Sequence, residues 1–195
     1  ALARIAATFY GEPTKRLTVV AVTGTNGKTT TTYLLRGIIE AAGGKAGIVG
    51  TISYRIGERE IASTNTTPES VDLQQFAAEM VAAGCTHAVM EASSHALDQG
   101  RVEGIQFDAG ILTNVTAHEH LDYHKTFNAY RKAKARLFSE FLPRSSKEHR
   151  AGIINADDPS WRYFAGVLRK AGLPAVTYGA SRDAQVRLAG WSSSC

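Results

Sequence analysis

Seven consecutive residues, Gly24-Thr25-Asn26-Gly27-Lys28-Thr29-Thr30, carry the chemistry of a phosphate-binding loop. Glycines let backbone N–H groups curl around phosphate oxygens where a strand turns into a helix, and the helix amino end adds its dipole. Lys28 would reach the terminal phosphates, and the hydroxyl of Thr29 stands where a magnesium ligand is needed. The general pattern has a glycine at position 22. Here Val22 takes that place, so the match is to the shorter Gly-Thr-x-Gly-Lys-Thr form. An ordinary glycine-rich strand-to-helix turn is the plain alternative; the order strand, loop, lysine, threonine weighs against it.

Further polar groups follow apolar runs. Ligands of open α/β sheets bind beyond the carboxyl ends of the strands, and Glu91 directly follows the run His87 to Met90. A carboxylate there can face the loop and serve magnesium, whereas a surface ion pair would be its structural use. Asn114 follows Asp108 to Thr113 and opens a segment with His118, Glu119, His120, Asp122 and His124. Zinc is a rival reading of that segment, although it contains no His-Glu-x-x-His helix, and imidazoles also cap and pack long loops. Lys134 lies in the basic stretch Tyr130 to Phe138, which composition alone reads as a solvated helix face.

The elements that must position these groups alternate. Leu17 to Thr23, Ala46 to Ile52, His87 to Met90, Asp108 to Thr113, Ala151 to Ile154 and Ala175 to Tyr178 read as strands, with a short hairpin around Gly57-Glu58. Helical patterns run from Thr29 to Ala42, from Asn65-Thr66-Thr67-Pro68-Glu69 to Gly84, from Tyr130 to Leu142, and from Asp158-Pro159 to Ala171, with a polar helix-like passage at Ser93 to Val102. This is the order of an α/β domain with a mostly parallel sheet flanked by helices. A chain of 195 residues, 44% apolar, closes one core.

The net charge of +4 is scattered, so no nucleic-acid footprint is expected, and an anionic small ligand accounts for the excess equally well. Cys85 and Cys195 stand far apart in no metal-ligand spacing, which suits a reducing compartment. With no leader-like amino end and no membrane-length apolar run, the expectation is a soluble, cytoplasmic protein without membrane insertion. The absent Met and the polar run Trp191 to Cys195 suggest a piece of a longer chain.

Taken together, Thr23 to Thr30, Asn65 to Ser70, Met90 to Val102, Thr113 to His124 and Tyr130 to Phe138 resemble the Mur ligases, in the same order over most of the chain. The stretches Glu91 to Val102 and Asn65 to Glu69 are similar to the branch that adds the third residue, meso-diaminopimelate or L-lysine, to the cell-wall peptide. Folylpolyglutamate and cyanophycin synthetases share the loop but are not expected to share those two stretches. The resemblance implies the central, phosphate-loop NTPase-like domain over residues 17–195, with 1–16 leading in from a preceding domain or linker and both flanking domains absent.

It further implies ATP-dependent amide bond formation on UDP-N-acetylmuramoyl-L-alanyl-D-glutamate through an acyl phosphate, with a diamino acid as second substrate, by a monomer. By the family pattern Gly24 to Thr30 hold the triphosphate, Thr29 and Glu91 serve the first magnesium, and His120 approaches the second. Lys134 aligns with a lysine that is carbamylated in these enzymes, which makes it an anion and a partner for magnesium. Asn65, Thr66, Thr67, Ser93, Gln99 and Arg101 match substrate-contacting positions, and Asn114 and Asn155 match nucleotide-side positions, Asn155 near the adenine. The family's segment has three residues between asparagine and the acidic residue; here Val115 to His118 make four. The Glu-His-Leu-Asp-Tyr-His match favours His120 as the metal-facing imidazole, with His118 as the alternative. A nucleotide-binding module without ligase activity, and a zinc hydrolase built on His118, His120 and His124, are the competing functions.

Overall fold

The computed structural model describes residues 1–116 and 121–190, with the side chains of Leu121 and Asp122 outside the description. The chain opens with helix α1 (Leu2–Phe9) and a 3-10 turn (Pro13–Arg16). Strand β1 (Thr18–Thr23) leads through the glycine loop into α2 (Lys28–Ala41) and then β2 (Ala46–Val49). A hairpin, β3 (Ser53–Ile56) and β4 (Arg59–Ala62), precedes α3 (Ser70–Ala82), β5 (His87–Glu91), α4 (Ser94–Gln99) and β6 (Ala109–Leu112). The short α5 (Leu121–His124) and α6 (Phe127–Arg136) follow, and α6 runs through a π-helical turn (Leu137–Phe141) into α7 (Leu142–Arg144). The rest is β7 (Ala151–Asn155), α8 (Trp161–Lys170), β8 (Ala175–Gly179) and β9 (Val186–Arg187).

Among the described residues nine strands form one sheet in the order β4-β3-β2-β5-β1-β6-β7-β8-β9. In that order every pair from β2 across to β9 is parallel, and the β2–β3 and β3–β4 pairs are antiparallel. The parallel half matches the apolar runs in the sequence, because a strand covered on both faces has no need of alternation. One face carries Val22, Val89 and Ile111 against Leu35 and Ile39 of α2. The other carries the main core, in which Leu73, Leu97, Tyr130, Phe138 and Phe164 belong to helices α3, α4, α6, the π turn and α8.

Chain direction decides where a ligand can sit. From β1 the chain crosses by α2 to β2 on one side, whereas from β5 it crosses by α4 to β6 on the other. The reversal leaves a crevice at the carboxyl ends of β1, β5 and β6, the switch point of an open sheet. Gly24, Glu91 and Asn114 all emerge there, each just at or past the end of its strand.

Small residues make close helix packing possible. A Cβ on Gly110 of β6 would sit 3.0 Å from Phe138 Cε1, so the bare backbone leaves the ring its place. Phe138 is fully buried and meets Phe164 edge-on, ring centroids 5.7 Å apart. Residues 1–16 also pack down: Ala3, Ala6 and Ala7 form the inner face of α1, which lies against α3.

The sheet edges differ in construction. β4 exposes Arg59 and Glu60, with Arg59 paired to Glu79 of α3 and Glu60 accepting from the Ser53 hydroxyl at 2.6 Å. β9 at the far edge is two residues long.

Truncating Phe138 to alanine removes a ring shared by the π turn, β6 and α8, and is expected to cost about 3–5 kcal/mol. Urea unfolding followed by circular dichroism checks this; an unchanged midpoint would show that the ring does not hold the helical layer to the sheet.

Candidate functional site

The loop after β1 begins at a residue without a side chain. Gly24 has φ +152°, and a Cβ there would lie 1.9 Å from Thr113 Oγ1 at the end of β6. The following residues are tied to that neighbouring strand. Thr25 N donates to Asn114 O at 2.8 Å, Asn26 N to Asn114 Oδ1 at 2.9 Å, and Thr113 Oγ1 to Asn26 O at 2.7 Å. Gly27, at φ +83°, caps α2 without a side-chain hydrogen bond, and the first intrahelical bond runs from Thr31 N to Gly27 O. The first turn of α2 therefore presents backbone donors to the crevice, as an anion site requires. Lys28 folds back over the loop, its ammonium donating to Gly24 O at 3.0 Å and Thr25 O at 2.9 Å.

Opposite the loop, Glu91 ends β5 with its side chain 0% exposed. Its carboxylate accepts from Thr29 Oγ1 (2.9 Å), from the Thr51 N–H (2.9 Å) and from Thr51 Oγ1 (2.9 Å). A Cβ on Gly50 would stand 2.5 Å from Glu91 Oε1, so this glycine makes the room. The surface ion pair weighed from sequence is overturned: the carboxylate is buried and its partners are hydroxyls and an amide.

The segment Asn65–Thr67 forms a second wall. Tyr54, buried on β3, holds it by donating to Asn65 O (2.6 Å) and accepting from Asn65 N (3.0 Å). Burial alone would raise the Tyr54 phenol; hydrogen bonds around Ser63, Thr64 and Asn65 outweigh it and bring the pKa below its ordinary value. Thr67 Oγ1 donates to Glu91 O (2.9 Å) and accepts from Ser93 N (3.0 Å), locking this wall to the end of β5. Ser93 in turn caps α4 by accepting from Ala96 N. Arg101 donates to Thr67 O (3.1 Å) and meets Glu69 at 3.1 Å and Gln99 Oε1 at 2.8 Å.

These walls enclose a cleft of about 620 Å³, lined by Thr25–Thr30, Thr51, Asn65–Thr67, Glu91, Ser93, His95 and Arg101. Twelve of the residues singled out in the sequence thus meet in one place: Thr25, Asn26, Gly27, Lys28, Thr29, Thr30, Asn65, Thr66, Thr67, Glu91, Ser93 and Arg101. Gln99 is not on the wall; it is exposed and braces the Arg101 guanidinium. Asn114 and Asn155 stand behind the loop, where Asn155 Nδ2 donates to Thr113 O at 2.8 Å.

Lys134 corrects the composition-based reading. It is 1% exposed, donates to Gly24 O at 2.8 Å, and lies 4.5 Å from the centre of the Tyr130 ring. The basic helix turns one cation inward because Lys134 shares the face of Tyr130 and Leu137, both fully buried. The next cation, Arg136, is also engaged with the protein. It donates to Leu97 O at 2.8 Å and to Asp98 O, so α6 holds the carboxyl end of α4. Glu140 keeps it there. Its hydrogen bond to Arg136, working against burial, holds the Glu140 carboxyl below its usual value and the guanidinium above its own.

His118, Glu119 and His120 lie outside the described residues, as does the choice between His118 and His120. Of the zinc reading's three imidazoles only His124 is described, and its ring packs between His95 and Tyr130. Among the described residues no group of three His, Cys, Asp or Glu is placed to hold a metal ion. Thr51, Tyr130 and Arg136 were not foreseen as contributors. Tyr130 carried a signal, four residues before Lys134 on one helix face; Thr51 carried none.

A parallel sheet with a glycine-lysine-threonine loop at its switch point defines the class of phosphate-loop α/β domains. A family model described as the Mur ligase middle domain matches residues 22–194, and the chain belongs to that family. The UDP-N-acetylmuramoyl-L-alanyl-D-glutamate--2,6-diaminopimelate ligase of Geobacter metallireducens is 50% identical over 188 residues, 96% of this chain and 36% of the relative. A solved structure of a ligase of that name superposes with TM-score 0.78 at 30% identity, covering 93% of this chain and 37% of the other. The Mycobacterium tuberculosis folylpolyglutamate synthase complexed with ADP and AMPPCP shares the fold, with TM-score 0.65 at 13% identity over 91% of this chain and 47% of that one. The chain therefore spans about a third of the length of its curated relatives, 36% in the first two.

Replacing Gly24 by alanine drives a methyl group into Thr113 and strains a left-handed backbone, so the loop must open. The expected result is a loss of nucleotide affinity of more than about tenfold, about 1.4 kcal/mol, with the far-ultraviolet circular dichroism kept. Unchanged affinity, measured by fluorescence with a labelled ATP analogue, would mean that the loop is not the nucleotide site.

Proposed function

We propose that this chain is the ATP-binding part of an amide ligase that adds a diamino acid to UDP-N-acetylmuramoyl-L-alanyl-D-glutamate in peptidoglycan precursor synthesis. The observation that carries the reading is the pairing across one cleft of an uncapped helix amino end, with Lys28, and a buried carboxylate, Glu91, hydrogen-bonded to Thr29. The 50% identity to a ligase named for 2,6-diaminopimelate supports diaminopimelate as the acceptor. The remaining length of the relatives supports further domains; in this reading they lie before and after this one, with residues 1–16 leading in, and complete the sugar-nucleotide and acceptor sites. We place the enzyme in the cytoplasm as a monomer; no helix among the described residues is long and apolar enough to cross a membrane.

In this reading the triphosphate of ATP lies over Gly24 to Thr30, with Asn114 and Asn155 on the side of the base. The D-glutamate carboxylate attacks the terminal phosphorus, the bond to ADP breaks, and an acyl phosphate forms. The incoming amine then attacks the acyl carbon and phosphate leaves, the amine giving up its proton as the amide forms. Phosphoryl transfer between anions depends on positioning and on cations. Lys28 contributes one. Thr29 Oγ1 and Glu91 Oε1, 2.9 Å apart and part-buried, are the hard oxygen donors that magnesium takes, and His120 is the imidazole proposed for a second ion. Bound magnesium supplies positive charge where the transferred group becomes more negative.

Asn65, Thr66, Thr67, Ser93 and Arg101 are positioned to receive the muramoyl peptide, with Gln99 orienting Arg101. Lys134 and Lys28 donate to the same carbonyl, Gly24 O. Carbamylation of Lys134 replaces that like-charge neighbourhood with an anion beside a cation, which supports its assignment as the modified lysine.

Isothermal calorimetry with magnesium and ATP tests the reading. Saturable binding is expected, weakened at least about tenfold by Lys28→Ala, as for loss of a charge-assisted phosphate contact, and abolished by chelating the metal. The full-length enzyme should couple ATP binding to the muramoyl dipeptide nucleotide, whereas this domain alone should form little product. Equal ATP binding by wild type and Lys28→Ala would overturn the loop assignment, and robust ligation by the domain alone would overturn its dependence on further domains.

A further inference from the structure

Among the described residues four ionisable side chains line the cleft: Lys28, Glu91, Arg101 and His95. The reaction proposed above uses the first three and leaves the imidazole without a role. His95 follows Ser93 by two residues in the first turn of α4, on the wall shared with Thr67 and Arg101. Its ring is braced from behind. Tyr123 stacks on it at 4.3 Å and 44°, and the Tyr123 hydroxyl is itself fixed to Asp98 Oδ2 at 3.0 Å, three residues along α4 from His95. The His124 ring adds a second support at 5.5 Å and leans on Tyr130, whose hydroxyl lies 3.1 Å from Thr25 Oγ1 in the loop.

Packed this way from α5, His95 is half-buried and lines the cleft. Lys28, Arg101 and the first turn of α2 present positive ends to the cleft, which suits an anionic ligand, although Glu91 shares the wall and Glu69 already meets Arg101. An imidazole N–H is a donor of matching strength for a carboxylate or acyl phosphate oxygen. The phosphates of the nucleotide already have the loop amides and Lys28, whereas the wall of Ser93, Thr67 and Arg101 is the part of the cleft assigned to the peptide. We propose that His95 hydrogen-bonds the reacting carboxylate end of the muramoyl peptide and orients it toward the phosphate loop, an inference that rests on the ligase reading above.

Two substitutions in the full-length enzyme separate contact from packing. His95→Phe keeps an aromatic ring against Tyr123 and removes both nitrogens; His95→Gln gives up the ring and keeps an N–H donor at a similar reach. For His95→Phe the KM for the UDP-muramoyl dipeptide is expected to rise about tenfold or more, the size of one hydrogen bond to a charged group, while the KM for ATP stays within about twofold. His95→Gln should recover part of that loss.

If His95→Phe keeps the wild-type KM for the dipeptide nucleotide, the ring serves packing and the inference fails. A rise confined to the KM for ATP assigns the imidazole to the nucleotide and overturns it equally. So does loss of both substrates in both variants together with ATP binding by calorimetry, since His95 would then hold the fold. A wild-type enzyme that binds ATP and does not ligate the dipeptide nucleotide instead overturns the ligase reading, and this inference with it.

Discussion

The Gly24 carbonyl receives two ammonium groups, Lys28 from the loop's own helix at 3.0 Å and Lys134 from α6 at 2.8 Å. They meet it where the backbone takes a conformation that a side chain would forbid, with Thr113 Oγ1 occupying the space of the missing Cβ. The turn lets the loop lie against the end of β6 on one side and meet α6 through Lys134 on the other. A lysine shielded from water carries a large desolvation cost unless its surroundings answer its charge. Here the carbonyl and the Tyr130 ring are among the answers, and Tyr130 also touches Thr25 through its hydroxyl. The loop is thus shaped from outside as much as by its glycines.

The facing wall is organised by a carboxylate. Glu91 gathers hydroxyls from Thr29 and Thr51, and its backbone carbonyl takes the Thr67 hydroxyl, so three separate segments converge on one residue at the end of β5. Arg136 extends the arrangement by tying the end of α4 to α6. Ser93 and Arg101, which flank α4, are therefore referenced to the same helix that carries Lys134. The phosphate-loop wall and the facing wall share a frame built from short polar contacts between elements distant in sequence.

Much of this was legible in the residues. The parallel strands announced themselves because both faces are covered, giving apolar runs such as Thr18–Thr23 and His87–Met90, and the strand-end rule then singled out Glu91 and Asn114. Lys134 shows why composition misleads: four cations in ten residues of α6 suggest a wet surface, yet position 134 falls four residues after Tyr130 on the stripe that ends in Leu137 and Phe138. Helical spacing held the information and residue type concealed it. Gln99 matched a substrate-contacting position, but its first partner is Arg101, a contact between neighbours that depends on how the chain turns after Gly100. Thr51 had no local signature, because its role is set by a carboxylate forty positions away.

The sheet's borders bear on how such a domain lives inside a longer polypeptide. A parallel sheet of this width would ordinarily offer an open ladder on each side to any other extended segment emerging nearby during synthesis. Here one border is a hairpin strand charged at Arg59 and Glu60 and pinned to α3, and the other tapers to a strand of two residues. Neither offers a long uncharged row of backbone donors and acceptors, which is the usual protection against strand addition. Any segment flanking this domain in a longer polypeptide would thereby be discouraged from joining the sheet while it folds, leaving side-chain surfaces as the means by which it could meet the domain.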